Sequence, residues 1–334
     1  MRTLYEYLKL IVLTLKTIFK LKSQQKFIEK NLLPVLEKHE VDSGFSKYDL
    51  YKIVHYYSLG VVVMLGDYFC ILRGEQLSEK ERKSLTYMAA ISTMYDDLFD
   101  KTNHDKQVIE KMTYEPESFK PSNIKETIFN DLTLKAIETI GLRSLLDSTR
   151  KELFEIQWLT KKQNIKGEFS WGELKDNTMN KGGWSFLFYR SALGNEISGE
   201  EKEIVFQIGG LLQYSNDIFD VYKDSEDGIY TQANSVEDIN LVYKDFKREM
   251  YKTFTMIKES TYSNKICDEL LDSLYLLCAR NIVCLNQYLK VQKSHGGVFK
   301  VKELPRAELI CDMENVSNLL RMARSYVTLA KMGN

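Results

Sequence analysis

Residues 213–224 read Gln213-Tyr214-Ser215-Asn216-Asp217-Ile218-Phe219-Asp220-Val221-Tyr222-Lys223-Asp224. Asn216, Asp220 and Asp224 stand at i, i+4 and i+8, so on a helix their oxygens line one stripe almost parallel to the axis. Ile208, Leu211, Leu212 and Ile218 nearby mark that helix as largely buried. An acidic stripe on a buried helix needs a metal or another cation to compensate it. Upstream, Ser198-Gly199-Glu200-Glu201 is a Ser-x-x-Glu helix start, in which the Ser caps the helix and the Glu reaches back.

The same design occurs once more. Ser78-Glu79-Lys80-Glu81 opens a helix whose far end is Tyr95-Asp96-Asp97-Leu98-Phe99-Asp100, a DDxxD arrangement. Asp96 and Asp100 share one face with Asp97 beside them, and like charges at the negative end of a helix dipole destabilise it unless a cation is added. Oxygen ligands from adjacent carboxylates suit a hard ion such as Mg²⁺, which keeps several waters and bridges to substrate phosphates. The bland alternative, a solvated polar helix end, fits one such cluster better than two. Competing metal patterns are absent: no Glu precedes His39, His55, His104 or His295 by three residues, and HExxH, EF-hand, GxGxxG and P-loop signatures do not occur.

Around these motifs the chain reads as all-α. Apolar residues recur three and four apart over segments near 3–21, 24–39, 47–73, 79–100, 123–141, 143–164, 171–193, 199–224, 236–261, 264–291 and 306–331. Only 4 prolines and 17 glycines occur in 334 residues, which favours long helices. With no repeat and no long linker, a single domain over 1–334 is expected. Lys and Arg number 46 against 47 Asp and Glu, so no global field points to a nucleic acid or other polyanion. Cys70, Cys267, Cys278, Cys284 and Cys311 form no CxxC pair and read as reduced core thiols of a cytoplasmic protein. Leu4–Leu21 is interrupted by Lys9, Lys16 and Lys20, too charged to span a bilayer, and Leu59–Leu65 stops at Asp67. Peripheral membrane contact through a basic amphipathic N-terminus is the alternative to ordinary packing there.

At the two acidic segments the sequence resembles the class I isoprenoid synthase superfamily: terpene cyclases, prenyl diphosphate synthases, and squalene and phytoene synthases. Asp96-Asp97-Leu98-Phe99-Asp100 matches its Asp-rich motif. Asn216, Asp220, Lys223 and Asp224 resemble the second metal motif of the cyclases, NDxx(S/T)xxxE, with Asp at 220 and 224 in place of hydroxyl and Glu. Asn180-Lys181-Gly182-Gly183-Trp184 through Tyr189 looks like the lysine-plus-small-residue segment of prenyl synthases, where the lysine contacts diphosphate and the small residues break a helix beside the cavity. The likeness spans roughly 78–230. The basic N-terminal segment and Arg-Arg pair of chain-elongating enzymes are missing, and Ser170 stands where bacterial cyclases place a diphosphate-sensing arginine. Gln213 through Asp217, with Asp224 and Gly228-Ile229-Tyr230, is also similar to squalene and phytoene synthases.

The resemblance implies a helical bundle enclosing a central active-site cavity, with the two acidic helix ends facing each other across it and three Mg²⁺ ions held against the substrate diphosphate. Metal ligands would be Asp96, Asp97, Asp100, Asn216, Asp220 and Asp224. Lys181, Arg190 and Lys223 would neutralise diphosphate, with Gly182 beside them. Tyr95, Phe99, Trp184, Phe188, Tyr214 and Phe219 would wall the pocket and favour carbocations, core packing being the alternative for each. Arg324 and Tyr326 imitate a cyclase lid pair at altered spacing, a plain surface helix being the alternative. Segments 101–122 and 225–235 are candidate lids. The expected reaction is loss of pyrophosphate from one prenyl diphosphate followed by cyclisation. The alternatives are a condensing or elongating transferase, and a non-catalytic isoprenoid binder. A homodimer is a family-level expectation.

Overall fold

The computed structural model describes residues 2–39, 45–100 and 105–333, with backbone alone at Asp100 and Gly333. It is all-α: 79% is helical, and no strand occurs among the described residues. The helices are α1 (Arg2–Asn31), α2 (Leu33–Glu37), α3 (Lys47–Tyr51), α4 (Val62–Arg73), α5 (Glu79–Asp100), α6 (Lys106–Tyr114), α7 (Ile124–Thr139) and α8 (Arg143–Thr160). They continue as α9 (Trp171–Arg190), α10 (Gly199–Phe219), α11 (Val221–Glu226), α12 (Ile239–Lys258), α13 (Asn264–Ser294), α14 (Arg306–Leu309) and α15 (Val316–Gly333). Between α3 and α4 the chain keeps winding as a wider π-helix, Lys52–Val61.

Several boundaries differ from the sequence pattern for local reasons. The stretches 3–21 and 24–39 merge into α1, because Ser23 and Gln25 face solvent while Gln24 finds buried partners in Ser58 O and Thr86 Oγ1 at 2.9 and 3.0 Å. The segment 306–331 is split: Asp312 Oδ1 accepts from Glu314 N and Asn315 Oδ1 from Ser317 N, so 310–315 forms a polar turn that restarts the helix at Val316. Within 101–122, α6 forms a helix where a loop is expected. The continuous run Lys47–Arg73 is long and apolar enough to cross a membrane by length and composition, and Ile53, Val62, Leu65 and Phe69 of that run are buried.

Within the 1–334 span the helices group into two compact units, each assembled from separate stretches of chain. The first comprises Met1–Leu13, Lys162–Trp184 and Gly199–Asn334. Its core forms where α10, α12, α13 and α15 pack; Tyr214 meets Phe246 edge-on there, and Lys175 is paired with Asp245 and Glu249 at 3.2 and 2.6 Å. The second comprises Thr14–Lys161 and Ser185–Ser198 and is organised around α5, against which α7 and the π-helical segment lie. Here the Ser78 capping box is present, with Ser78 N donating to Glu81 Oε2 at 2.8 Å and Glu81 N to Ser78 Oγ at 3.3 Å. Glu81 also receives Arg73 and Gly194 N. Burial alone would raise its pKa, but these donors overcome it and hold the carboxyl at about 2.

Candidate functional site

The two acidic segments belong to different units. In the first unit α10 loosens at Asp220 (φ −90°, ψ 11°) and resumes as α11. Asp220 N still reaches Asn216 O at 2.8 Å and Asp224 N reaches Asp220 O at 2.7 Å, which preserves the i, i+4, i+8 register. Asn216 and Lys223 are exposed, Asp220 is half-buried and Asp224 is buried. Burial pushes the Asp224 carboxyl up to about 8, reinforced by the charges of Asp217 and Asp220 and offset by Lys223 and Lys181. Burial raises Asp220 as well, with Lys223 and Arg280 opposing.

Asp217 was not among the predicted residues, yet it is buried at the centre of this cluster. It accepts hydrogen bonds from Thr178 Oγ1 at 2.7 Å and Gln213 Nε2 at 2.9 Å. Even so, burial shifts its pKa upward against those donors and Lys181. Its signal was legible in principle: Asp217, Asp220 and Asp224 are spaced three and four apart, on one helical face. A second missed residue is Arg280 of α13, whose Nη2 donates to Ser215 Oγ at 3.1 Å and whose guanidinium lies 4.2 Å from the Phe219 ring centroid. No sequence spacing links Arg280 to Ser215, because only the packing of α13 on α10 brings them together.

Gly182 and Gly183 do not break a helix, contrary to the expectation drawn from the resemblance. They lie inside continuous α9 and let it approach α10 closely. A Cβ on Gly182 would stand 2.2 Å from Gly209 O, one on Gly183 2.6 Å from the Phe206 ring, and one on Gly210 2.6 Å from Met179 Cε. This approach sets Thr178 against Asp217 and half-buried Lys181 within electrostatic reach of Asp217 and Asp224. Ser170, at the position lacking the arginine, starts α9: its N donates to Glu173 Oε2 at 2.7 Å while Glu173 N donates back to its Oγ at 3.3 Å.

Other predicted residues take structural places. Arg190 is wholly buried and donates to the carbonyls of Asn195 and Glu196 at 3.3–3.5 Å, fastening the turn after α9. Tyr214 is fully buried with its hydroxyl 3.3 Å from Asp245 Oδ2. Trp184 packs edge-on against Phe206, under Lys202, beside the first half of α10. Tyr326 is buried against Tyr275 and Asp272, while Arg324 is exposed. The candidate lid 225–235 is hydrogen-bonded along its length. Asp224 O holds Ile229 N, Gln163 exchanges bonds with Tyr230, and Asn234 bridges Ile229 O and Thr231 N. A cleft of about 540 Å³ is lined by part of this segment, Gly228, Ile229 and Tyr230, with Phe169, Trp171 and Lys302, and includes none of the predicted metal or diphosphate ligands.

In the second unit Asp96 is half-buried, its Oδ1 accepting from Gln157 Nε2 at 2.7 Å and its Oδ2 from Tyr57 OH at 3.3 Å. Tyr57 comes from the π-helical segment, a geometry that recurs at functional positions; burial, then the Asp96 charge, raises its pKa far above the ordinary value. Asp97 Oδ1 lies 3.8 Å from Lys52 Nζ. The side chain of Asp100 and the whole of 101–104, His104 included, lie outside the described residues. Phe99 is buried against Phe154 and Trp158, and half-buried Tyr95 packs on Phe99 and Phe129 at the edge of this core. Phe188 is buried edge-on to Tyr189, whose hydroxyl is 2.6 Å from Ser92 Oγ. Among the described residues no three His, Cys, Asp or Glu side chains converge closely enough to hold a metal ion by themselves. Compared with known protein families, curated proteins and solved structures, the chain matches none.

Proposed function

We propose that the protein is a Mg²⁺-dependent enzyme of the class I isoprenoid synthase type. It ionises one linear prenyl diphosphate and cyclises the resulting cation. The observation that carries this reading is the carboxylate face Asp217, Asp220 and Asp224 on α10 and α11, accompanied by Lys181, Lys223 and Arg280. The donor chemistry fits Mg²⁺ joined to a diphosphate. Hard oxygens are present, Asp224 is too buried to carry its charge without a further cation, and the nearby basic groups suit phosphate oxygens. A tight three-carboxylate cage is not needed, because Mg²⁺ is commonly held by one or two carboxylates, water and substrate phosphates.

Asn216, Asp220 and Asp224 would hold the ion in the first unit, and Asp96, Asp97 and Asp100 in the second. When bound, Mg²⁺ supplies Lewis-acid stabilisation of the departing pyrophosphate. Lys181 and Lys223 neutralise phosphate charge, and the Phe219 ring offers an aromatic face beside Arg280. Thr178 and Gln213 hold Asp217 in place.

Incubation with Mg²⁺ and prenyl diphosphates of increasing chain length, with pyrophosphate release and product mass both followed, tests the proposal. A hydrocarbon or alcohol from a single substrate is expected. Doubled or lengthened carbon skeletons would replace cyclisation by condensation. Absence of Mg²⁺-dependent pyrophosphate release from every substrate would leave a non-catalytic binder. Asp96→Asn and Asp224→Asn should each slow release at least about a hundredfold, as loss of a charge-stabilising ligand does.

A further inference from the structure

Helix α1 presents an apolar face that the described chain leaves open. Leu4, Leu8, Ile11, Leu15, Ile18 and Phe19 are each 43–69% exposed. Together with Tyr5 and Val12 they span about 140° of the helix circumference at 100° per residue. The opposite face is fixed. Glu6, Leu10, Gln24 and Ile28 are buried, Lys9 pairs with Asp272 at 2.7 Å, Lys20 pairs with Asp67, and Arg82 Nε donates to Gln24 Oε1 at 2.7 Å. The open face is therefore presented by an anchored helix.

Charge identifies the occupant. Helix α1 carries seven basic and two acidic residues, a net of +5 in a chain whose total is −1. Between Arg2 and Ile28 the one acid, Glu6, is buried, whereas Lys16, Lys22 and Lys26 are exposed. A second copy docking through this face in an antiparallel pair would set the lysine-bearing flank of one helix against that of the other, and like charges repel. The arc is also wider than the narrow two-per-heptad seam of a coiled coil. A broad apolar face over Leu4–Phe19, with exposed Lys16 on its flank and Lys22, Lys26 and Lys30 beyond its end against the one exposed acid of the helix, Glu29, matches an anionic bilayer, with acyl chains for the stripe and headgroup phosphates for the ammonium groups.

We infer that α1 lies in the plane of an anionic lipid surface and docks the protein there. This inference stands independently of the proposed catalysis. Flotation of the full chain with phosphatidylcholine vesicles, with and without phosphatidylglycerol, tests it, while circular dichroism melts monitor folding. Binding to the anionic vesicles is expected, weakening as salt is raised. Leu8→Glu with Ile11→Glu should abolish it. Lys16→Gln with Lys22→Gln should lower it about tenfold or more, leaving the melts unchanged because these side chains are exposed. Failure to bind any vesicle would overturn the inference, as would undiminished binding of the Leu8→Glu, Ile11→Glu variant. So would a dimer in light scattering that this variant dissociates while vesicles bind neither form, which would assign the face to a second copy.

Discussion

A carboxylate forced into low dielectric changes the balance between folding and ionisation, and Asp224 is the sharpest instance in this chain. Its folded pKa is raised to about 8, so the folded state holds its proton over a range in which the unfolded chain, ionising near 4, has already lost it. Its contribution is therefore most favourable below about pH 4 and declines as pH rises toward about 8. Asp224→Asn should raise the melting temperature of the metal-free protein at pH 8 and flatten that decline, as thermal melts across the range would record. The same substitution should remove most of the stabilisation conferred by Mg²⁺ with pyrophosphate. Gly182 offers an opposite case, set by shape alone. Gly182→Ala places a methyl 2.2 Å from a backbone oxygen and should cost about 3 kcal/mol in urea denaturation, at the upper end of overpacking costs. Asn216, Asp220 and Asp224 were legible because helical spacing alone aligns them. Asp217 is legible by the same spacing, whereas its partners on α9, and Arg280 altogether, depend on the approach of α9 and α13 to α10, which no local pattern encodes.

Helix α5 shows how much of an element local chemistry specifies. Its start at Glu79 follows from the Ser78 cap, and Glu81 does more than cap, since it also receives Arg73 and Gly194 N. Its folded pKa of about 2 lies below the ordinary 4.5, so the stability it adds is complete above about pH 4.5 and is lost as pH falls toward 2. Glu81→Gln should cost about 2 kcal/mol at pH 7, less than full linkage because solvent screens part of the interaction. The difference from the parent should shrink through that acidic window in pH-resolved chemical denaturation. Where sequence patterns misjudged an element, tertiary partners or turn chemistry had the final say. Gln24 carried α1 through a polar stretch, and Asp312 with Asn315 ended a helix whose apolar periodicity continued beyond them.

At the scale of the molecule, the all-α class was evident from composition and periodicity, but the grouping into two units was not, because each gathers pieces distant in sequence. Long helices dominate the chain, so ligand binding that adds cations to the acidic ends should raise its melting temperature. With the Mg²⁺–pyrophosphate complex at about a hundred times its dissociation constant, binding at one site should stabilise by about 2.7 kcal/mol. Scanning fluorimetry should show little response to either ligand alone. The cysteines carry a different consequence. Cys267, Cys278, Cys284 and Cys311 are buried in the first unit, while half-buried Cys70 belongs to the second. Thiol-alkylation rates read at the four buried positions by mass spectrometry therefore time the opening of the first unit, with part-exposed Cys70 as the reference for a thiol reached without unfolding, giving the wild-type chain a built-in clock that needs no added label site.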